Sequence, residues 1–297
     1  MNEFIIKILR KYFQFLPDSI FLTVLYGLRM GRCLNLKNPD TFTEKLQWLK
    51  IHNRKPEYTT MVDKYAVKDY VAGIIGKEHV IPTLGIWDTI EEIEFDALPN
   101  KFVLKTTHGG GSNGVVICKD KSTFDVNVAI QSLRLAIRKD LYKASREWPY
   151  KNVKKRIIAE EYLEDQTSPA EDLTDYKFYC FNGKPEFCQV IQGRHNNETI
   201  DFFNLRWERQ PFVGLNPKVH NAQICPKKPE NFEEMLEMSG KLSNRLPFSR
   251  IDFYEVNGKT YFGEITFFPA SGMGFFTPNQ YDEILGSMIR LPFVEEL

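Results

Sequence analysis

Two carboxylates near the C-terminal end of the sequence interrupt stretches that otherwise read as apolar strand. They are Asp252 in Ser249-Arg250-Ile251-Asp252-Phe253-Tyr254 and Glu264 in Tyr261-Phe262-Gly263-Glu264-Ile265-Thr266. Burying an unpaired ionised carboxylate is costly, so each needs a cation. A hard divalent ion such as Mg²⁺, which bridges carboxylate and phosphate oxygens, would serve both. The alternatives are that Asp252 pairs with Arg250 or that one acid faces solvent. A second such stretch lies upstream: Phe102-Val103-Leu104-Lys105, then Thr106-Thr107-His108-Gly109-Gly110-Gly111-Ser112-Asn113-Gly114, then Val115-Val116-Ile117. A strand ending in lysine, a glycine-rich turn and a second strand make a flap. Its amides can close on phosphate oxygens while Lys105 supplies positive charge. Strand residues follow the glycines, so the stretch is neither GxxxxGK[ST] nor a GxGxxG that opens a helix. An ordinary turn is the alternative reading.

Further segments carry weaker signals. Arg156 to Tyr162 reads as a strand followed by Leu163 and Glu164, with a backbone edge able to hold a purine base. In Asp175-Tyr176-Lys177-Phe178-Tyr179 the alternation puts Asp175 and Lys177 on one face, and Tyr176 and Phe178 on the other. Arg194 closes the next strand, and Lys64, after Asp63, starts a helix.

Asn182-Gly183 and Asn257-Gly258 each lie between strand-like runs, a strong sign of a two-residue hairpin. At the second, local turn chemistry and metal binding disagree. A two-residue loop pairs Val256 with Lys259, Asp252 with Gly263 and Ile251 with Glu264, which sends the two acids to opposite faces. For both to face one ion, the hairpin needs an odd-length loop or a compensating bulge between residues 253 and 263.

The elements that must carry these residues form a mixed α+β order and not a regular βαβ alternation. Up to about residue 76 the pattern is helical. Phe4 to Met30 reads as two basic amphipathic helices broken at Pro17-Asp18-Ser19. Asp40 and Thr41 can cap a helix carrying Phe42, Leu46 and Leu49, and another helix runs from near Tyr58 through Val67 and Val71 to Gly76. Residues 124–146 and 231–246 show helical spacing. Strand signals cover Phe102–Lys105, Val115–Cys118, Ile157–Tyr162, Tyr176–Phe181 and Phe187–Ile191. The expected organisation is an N-terminal helical region over 1–80, a smaller lobe with the flap over 81–164, and a larger lobe with the metal site over 165–297. The polar stretch from Glu164 to Thr174 is the linker.

Composition removes several function classes. Lys and Arg together number 39, as do Asp and Glu, and no strong basic patch stands out, so nucleic acid is not an expected partner. The 5 cysteines lack CxxC spacing, and no two of the 5 histidines fall within four residues of each other. That argues against a zinc site and a disulfide framework and fits a cytoplasmic location. No apolar run is long enough to span a membrane. In residues 4–30 charges interleave with apolar residues, which separates the segment from a signal peptide. Packing on the domain is the favoured reading. Peripheral contact with the inner face of a membrane is the other.

Taken in order, Asp63-Lys64, FVLK ending at Lys105 with its glycine-rich loop, Ala159-Glu160-Glu161-Tyr162-Leu163-Glu164, Asp175-Tyr176-Lys177, Arg194, Asp252 and Glu264 resemble the ATP-grasp superfamily. The phrases DYKFYCFNGKP, RIDFY and FGEITFFPASG look like its branch associated with teichuronopeptide and other surface-polysaccharide biosynthesis. The likeness runs from about Phe42 to Leu291. It implies an ATP-grasp fold of two α+β lobes enclosing the nucleotide, with an N-terminal helical segment, and ATP and Mg²⁺ as cofactors. It places Lys64 and Lys105 at the α- and β-phosphates, and Gly109, Gly110, Gly111, Ser112 and Gly114 over the triphosphate. Glu160, with the backbone of Glu161 and Leu163, corresponds to the adenine hinge, and Asp175 to a ribose-binding acid. Arg194, Lys105 and Lys177 correspond to the catalytic cations, and Asp252 and Glu264 to the metal ligands. Many members carry Asn two positions after the metal-binding Glu. Here Thr266 stands there, a poorer ligand than an amide carbonyl, which leaves the number of Mg²⁺ ions open. The loop from Pro269 to Gly274, with Ser271 and Gly272, falls where members often bind the other substrate.

The activity this implies is an ATP-dependent carboxylate–amine ligase working through an acyl phosphate on a small molecule or glycan. An amide joining a uronic acid to an amino acid or peptide of a surface polysaccharide is the expected product. A kinase passing phosphate to a sugar hydroxyl is the nearest rival, and an amine requirement separates the two. A glycosyltransferase is weakened by the absence of any Asp-x-Asp. A catalytically silent glycan-binding module would be expected to lose the phosphate and metal residues.

Overall fold

The structure, a computed structural model, describes residues 2–111, 114–166, 173–193, 197–216 and 218–292. In chain order the helices are α1 (Asn2–Tyr12), α2 (Asp18–Met30), α3 (Phe42–His52), α4 (Glu57–Val62), α5 (Ala66–Ile75), α6 (Val126–Ile137), α7 (Leu141–Ser145), α8 (Phe232–Leu242) and α9 (Gln280–Met288). The strands are β1 (Thr83–Trp87), β2 (Phe102–Thr106), β3 (Val115–Cys118), β4 (Ile157–Glu161), β5 (Asp175–Phe181), β6 (Lys184–Gln192), β7 (Thr199–Asn204), β8 (Val213–Gly214), β9 (Phe248–Val256), β10 (Lys259–Thr266) and β11 (Phe276–Thr277). The chain divides into two compact units. One comprises residues 1–54, 145–148 and 165–297, and the other 55–144 and 149–164. The cysteines are free thiols.

The first unit is built on a 5-stranded antiparallel sheet of order β10-β9-β5-β6-β7. Its central strand β5 is buried along its whole length, and the two faces differ in chemistry. Tyr176 and Phe178 of β5 lie beside Phe253 and Ile251 of β9, and Phe178 packs on Phe232 of α8 with ring centroids 5.6 Å apart. The opposite face begins at an aromatic end, where Phe181 and Phe248 meet Phe42 of α3, and continues into charged residues. Helix α3 starts as the sequence suggests. Thr41 accepts from the Glu44 amide, and the Glu44 side chain accepts from the Thr41 amide in return. Asp282 of α9 holds that end of α3 by accepting from the Thr43 amide at 2.9 Å and from Arg32. Lys45 donates to the carbonyls of Gly286 and Ile289 at the α9 C-terminus. Helices α1 and α2 bury Ile6, Leu9, Phe21, Leu22, Leu25 and Tyr26 in a cluster with Leu34 and Met273, which is the packing expected of their inner faces.

The second unit carries a 4-stranded antiparallel sheet of order β1-β4-β2-β3. Phe102 and Leu104 of β2 and Ile157 and Ala159 of β4 join Leu133 of α6 in its core. The single helix expected from Tyr58 to Gly76 is instead two, because Asp63 accepts from the amides of Tyr65 and Ala66 and so begins a new helix. The helical stretch after residue 124 is likewise split at Asp140, whose side chain accepts from the Lys143 amide. Strand β1 was not anticipated. It is short, contains Gly85, and is irregular between Thr83 and Gly85.

Candidate active site

The β9–β10 hairpin keeps the two-residue turn and still brings the two acids to one face. Asn257 (φ 51°) and Gly258 (φ 73°) form the two-residue loop, and Lys259 pairs with Val256. The register then shifts between Phe262 and Glu264, so Glu264 stands opposite Asp252 and Thr266 opposite Arg250. The odd residue is Gly263. A Cβ there would lie 3.1 Å from the Asp252 carbonyl oxygen and 3.2 Å from the Tyr254 ring, so the bulge suits a residue without a side chain.

This register gathers a charged cluster on one face. Lys177 of β5 pairs with Asp252, and its ammonium binds that carboxylate and also Asp175 at 3.1 Å. Arg250 grips Asp252 with two bonds of 2.7 Å and reaches Glu264 at 2.9 Å and the Thr266 hydroxyl at 3.0 Å. The pairing of Asp252 with Arg250, one of the alternatives open from sequence, is therefore present. Asp252 is 1% exposed. Burial raises its carboxyl above the ordinary range, with Arg250 and Lys177 pulling the other way. Burial also works against the Arg250 charge, but Asp252 and Glu264 outweigh it and raise the guanidinium pKa. Two carboxylates and a hydroxyl on one strand pair are hard oxygen donors, whose chemistry fits Mg²⁺. Among the described residues no three His, Cys, Asp or Glu side chains form a metal-holding group. Arg194 and Ser112 lie outside the described residues.

In the second unit, Lys105 and Glu160 share a face of the sheet. Lys105 pairs with Ile158, and Val103 with Glu160. The Glu160 carboxylate is buried and holds Lys105 on one oxygen and Lys68 of α5 on the other, the latter at 2.8 Å. Burial would raise its pKa. The two lysines overcome that and keep it below the ordinary glutamate value. Glu160, assigned by resemblance to the adenine hinge, thus directs its side chain to the lysines. Beside it, the Glu161 amide donates to the Pro82 carbonyl, and the Leu163 amide donates to no described residue. Lys64 lies in the turn before α5, where its amide donates to the Thr107 carbonyl at the root of the glycine-rich segment. There Gly109 and Gly110 are half-buried, and Gly111 has φ 67°. Gly114 has φ 85°, and a Cβ on it would sit 2.4 Å from that of Ala136 on α6, so both backbone and packing select glycine.

The third feature is the loop after β10. Ala270, Ser271 and Gly272 take left-handed φ values of 49°, 56° and 62° in succession. Such a backbone persists only when its surroundings fix it. Lys50 of α3, fully buried, donates to the carbonyls of Ser271 at 2.8 Å and Ser145 at 2.9 Å and to Gln47 Oε1 at 3.0 Å. Gln47 donates to the Gly272 carbonyl, and Glu147 accepts from the hydroxyls of both Ser145 and Ser271 at 2.8 Å. Ser271 and Gly272 are thereby fixed against α3.

A family model described as TupA-like ATPgrasp matches residues 44–290. The chain belongs to the TupA-like ATP-grasp family. Membership gives it the ATP-grasp fold. No curated protein matches the sequence. Among solved structures it is similar to D-alanine–D-alanine ligase from Bacillus anthracis (15% identity, TM-score 0.45, 77% of this chain and 66% of that one). It is also similar to D-alanine–D-alanine ligase from Helicobacter pylori (15%, TM-score 0.43, 85% and 70%). A third is the ATP-grasp ligase PsnB complexed with minimal precursor (13%, TM-score 0.38, 76% and 59%). The chain thus spans slightly under two thirds of the Bacillus anthracis ligase.

Four residues of this TupA-like ATP-grasp chain escaped the sequence reading as site components: Lys68, Arg250 as a clamp, Lys50 and Glu147. Lys68 follows Lys64 by four residues, one helical turn, and that spacing was the available signal. Thr43, Gln47 and Lys50 form a polar stripe at helical spacing, which reads as a solvated face unless its burial is known.

Lys50 gives a pH test. Burial pushes its ammonium down from 10.5 to about 8, against the pull of Glu147. The unfolded chain then holds more protons than the folded one from about pH 8 to about pH 10.5. Stability contributed by this residue therefore rises with pH across that window. In urea titrations, the unfolding free energy of the parent protein relative to Lys50→Met should climb by about 3 kcal/mol between those limits. A flat difference would show that Lys50 keeps an ordinary pKa.

Proposed function

We propose that this chain joins a carboxylate to an amine at the expense of ATP, acting on a uronic acid of a surface polysaccharide or its precursor. The single observation that carries the reading is the bulge at Gly263, which puts Glu264 opposite Asp252 on the face that also bears Asp175, Lys177 and Arg250. In this reading Lys64, Lys105 and the Gly109–Gly114 segment bind the triphosphate, the backbone of Glu161 and Leu163 binds adenine, and Asp175 binds ribose. Asp252 and Glu264 would hold Mg²⁺, which when bound supplies positive charge to phosphate oxygens. Lys177 and Arg250 fix these carboxylates and, with Arg194, neutralise charge on the transferring phosphoryl group. Preorganised groups of this kind contribute on the order of 3 kcal/mol each.

The substrate carboxylate oxygen bonds to the γ-phosphorus as the bond from that phosphorus to the bridging oxygen breaks, releasing ADP. An amine nitrogen then bonds to the carbonyl carbon, phosphate departs with the bonding electron pair, and the nitrogen loses a proton. The loop at Ser271 and Gly272, fixed by Lys50 and Glu147, positions this second half of the reaction. The test is ADP release against pools of uronic acids and amino acids, with mass spectrometry of the product. Release that requires both pools, with stoichiometric phosphate and an amide product, is expected. A phosphorylated sugar formed without amine would replace this reading by a kinase.

A further inference from the structure

Half of the large apolar side chains that stand exposed among the described residues lie in one short stretch between Phe4 and Val24. Phe15 is 78% exposed, Phe4 69% and Tyr12 60%, with Phe13, Ile20 and Val24 also on the surface. The inner faces of α1 and α2 are already occupied by their own cluster, so these side chains form a second, outward set. On α1, Phe4, Ile8 and Tyr12 recur at four-residue spacing, and Lys7 and Lys11 share the exposed side with them. The Lys11 ammonium lies 5.0 Å from the Tyr12 ring centroid, and the rings of Phe13 and Phe15 sit 5.9 Å apart in the turn that follows.

The charge around this patch is one-sided. Lys7, Lys11 and Arg29 are exposed, whereas the segment's two acids are Glu3 and Asp18, and Asp18 is taken by Arg54 and Arg146. Exposed apolar patches of this kind mark contact surfaces. Aromatic side chains interleaved with lysines suit the boundary between lipid headgroups and acyl chains, where the rings enter and the ammonium groups stay with the phosphates. A second copy of the chain would bring lysines against lysines. Among the described residues no helix is long and apolar enough to cross a membrane, so contact would be peripheral.

We propose that the α1–α2 helix pair docks the protein on an anionic membrane surface, with Phe4, Tyr12 and Phe15 inserted and Lys7 and Lys11 on lipid phosphates. The test is co-sedimentation of the full chain with vesicles of phosphatidylcholine alone, or of phosphatidylcholine and phosphatidylglycerol in equal parts. The expected result is binding to the anionic vesicles only, weakening as salt is raised. The pairs Phe4→Ser with Phe15→Ser, and Lys7→Gln with Lys11→Gln, should each lower partitioning by about tenfold or more. All four residues are exposed, so urea unfolding should be unchanged. Failure to bind, equal binding to neutral vesicles, or variants that bind like the parent would each overturn the proposal. So would a dimer in vesicle-free solution that Phe4→Ser with Phe15→Ser dissociates, since the occupant would then be a second copy.

Discussion

An Asp252→Asn variant is expected to lose at least about a hundredfold in ADP release and to unfold with about 3 kcal/mol less free energy than the parent protein. Both effects come from one carboxylate. Its two oxygens hold Arg250 through a pair of 2.7 Å bonds, and one of them also binds Lys177. An amide keeps the shape but leaves two buried cations with only Asp175 and Glu264 for compensation. Breaking one side of a buried ion pair is far more costly than removing both. Glu264→Gln separates the two effects. Glu264 has 31% of its side chain exposed and one oxygen engaged by Arg250 and Thr266, so turnover should fall while stability changes little. Urea unfolding with an unchanged m-value, run beside an ADP-release assay, reads both quantities. Parental turnover in Asp252→Asn would remove this residue from the chemistry.

Lys105→Ala carries the second large effect. We expect ATP binding to weaken by about tenfold or more and turnover to fall further, because a strand-end ammonium is worth most where water is excluded. The structure adds that Lys105 is held in place by Glu160, whose other oxygen holds Lys68. Lys68→Ala should therefore act more weakly and through position, raising KM for ATP with a smaller change in kcat. Titration of ATP followed by calorimetry, with initial rates on the same preparations, distinguishes the two variants. Unchanged ATP affinity in Lys105→Ala would refute the phosphate assignment.

Much of this arrangement could be read from residue order, because strands announce themselves by alternation. Phe102–Lys105, Ile157–Tyr162 and Tyr176–Phe181 each became a strand of the structure, and both Asn-Gly pairs became two-residue loops. The requirement for a bulge could be deduced from counting, while its position at Gly263 depended on packing against Asp252 and Tyr254. The helix from Tyr58 to Gly76 failed as a single element because a side-chain cap at Asp63 outcompetes continuation, a local contest that periodicity does not record. Lys50, Lys68 and Glu147 were out of reach for a different reason. A lone charged residue becomes a site component only through burial against segments distant in sequence, such as Ser145 and Ser271.

The bulge at Gly263 also bears on how this hairpin avoids misfolding. A slipped β10, with Gly263 admitted to the ladder, would have the more regular backbone and is the nearest competitor to the native pairing. Slippage would turn Glu264 toward Ile251, on the side where Phe178 packs against α8, and would turn Ile265 toward Arg250. The alternating polarity of Glu264, Ile265 and Thr266 thus penalises the competitor at every residue beyond the bulge. The carboxylate proposed for the chemistry is thus one of the residues that oppose sliding, and a sequence with an apolar residue in its place would lose part of its choice of register.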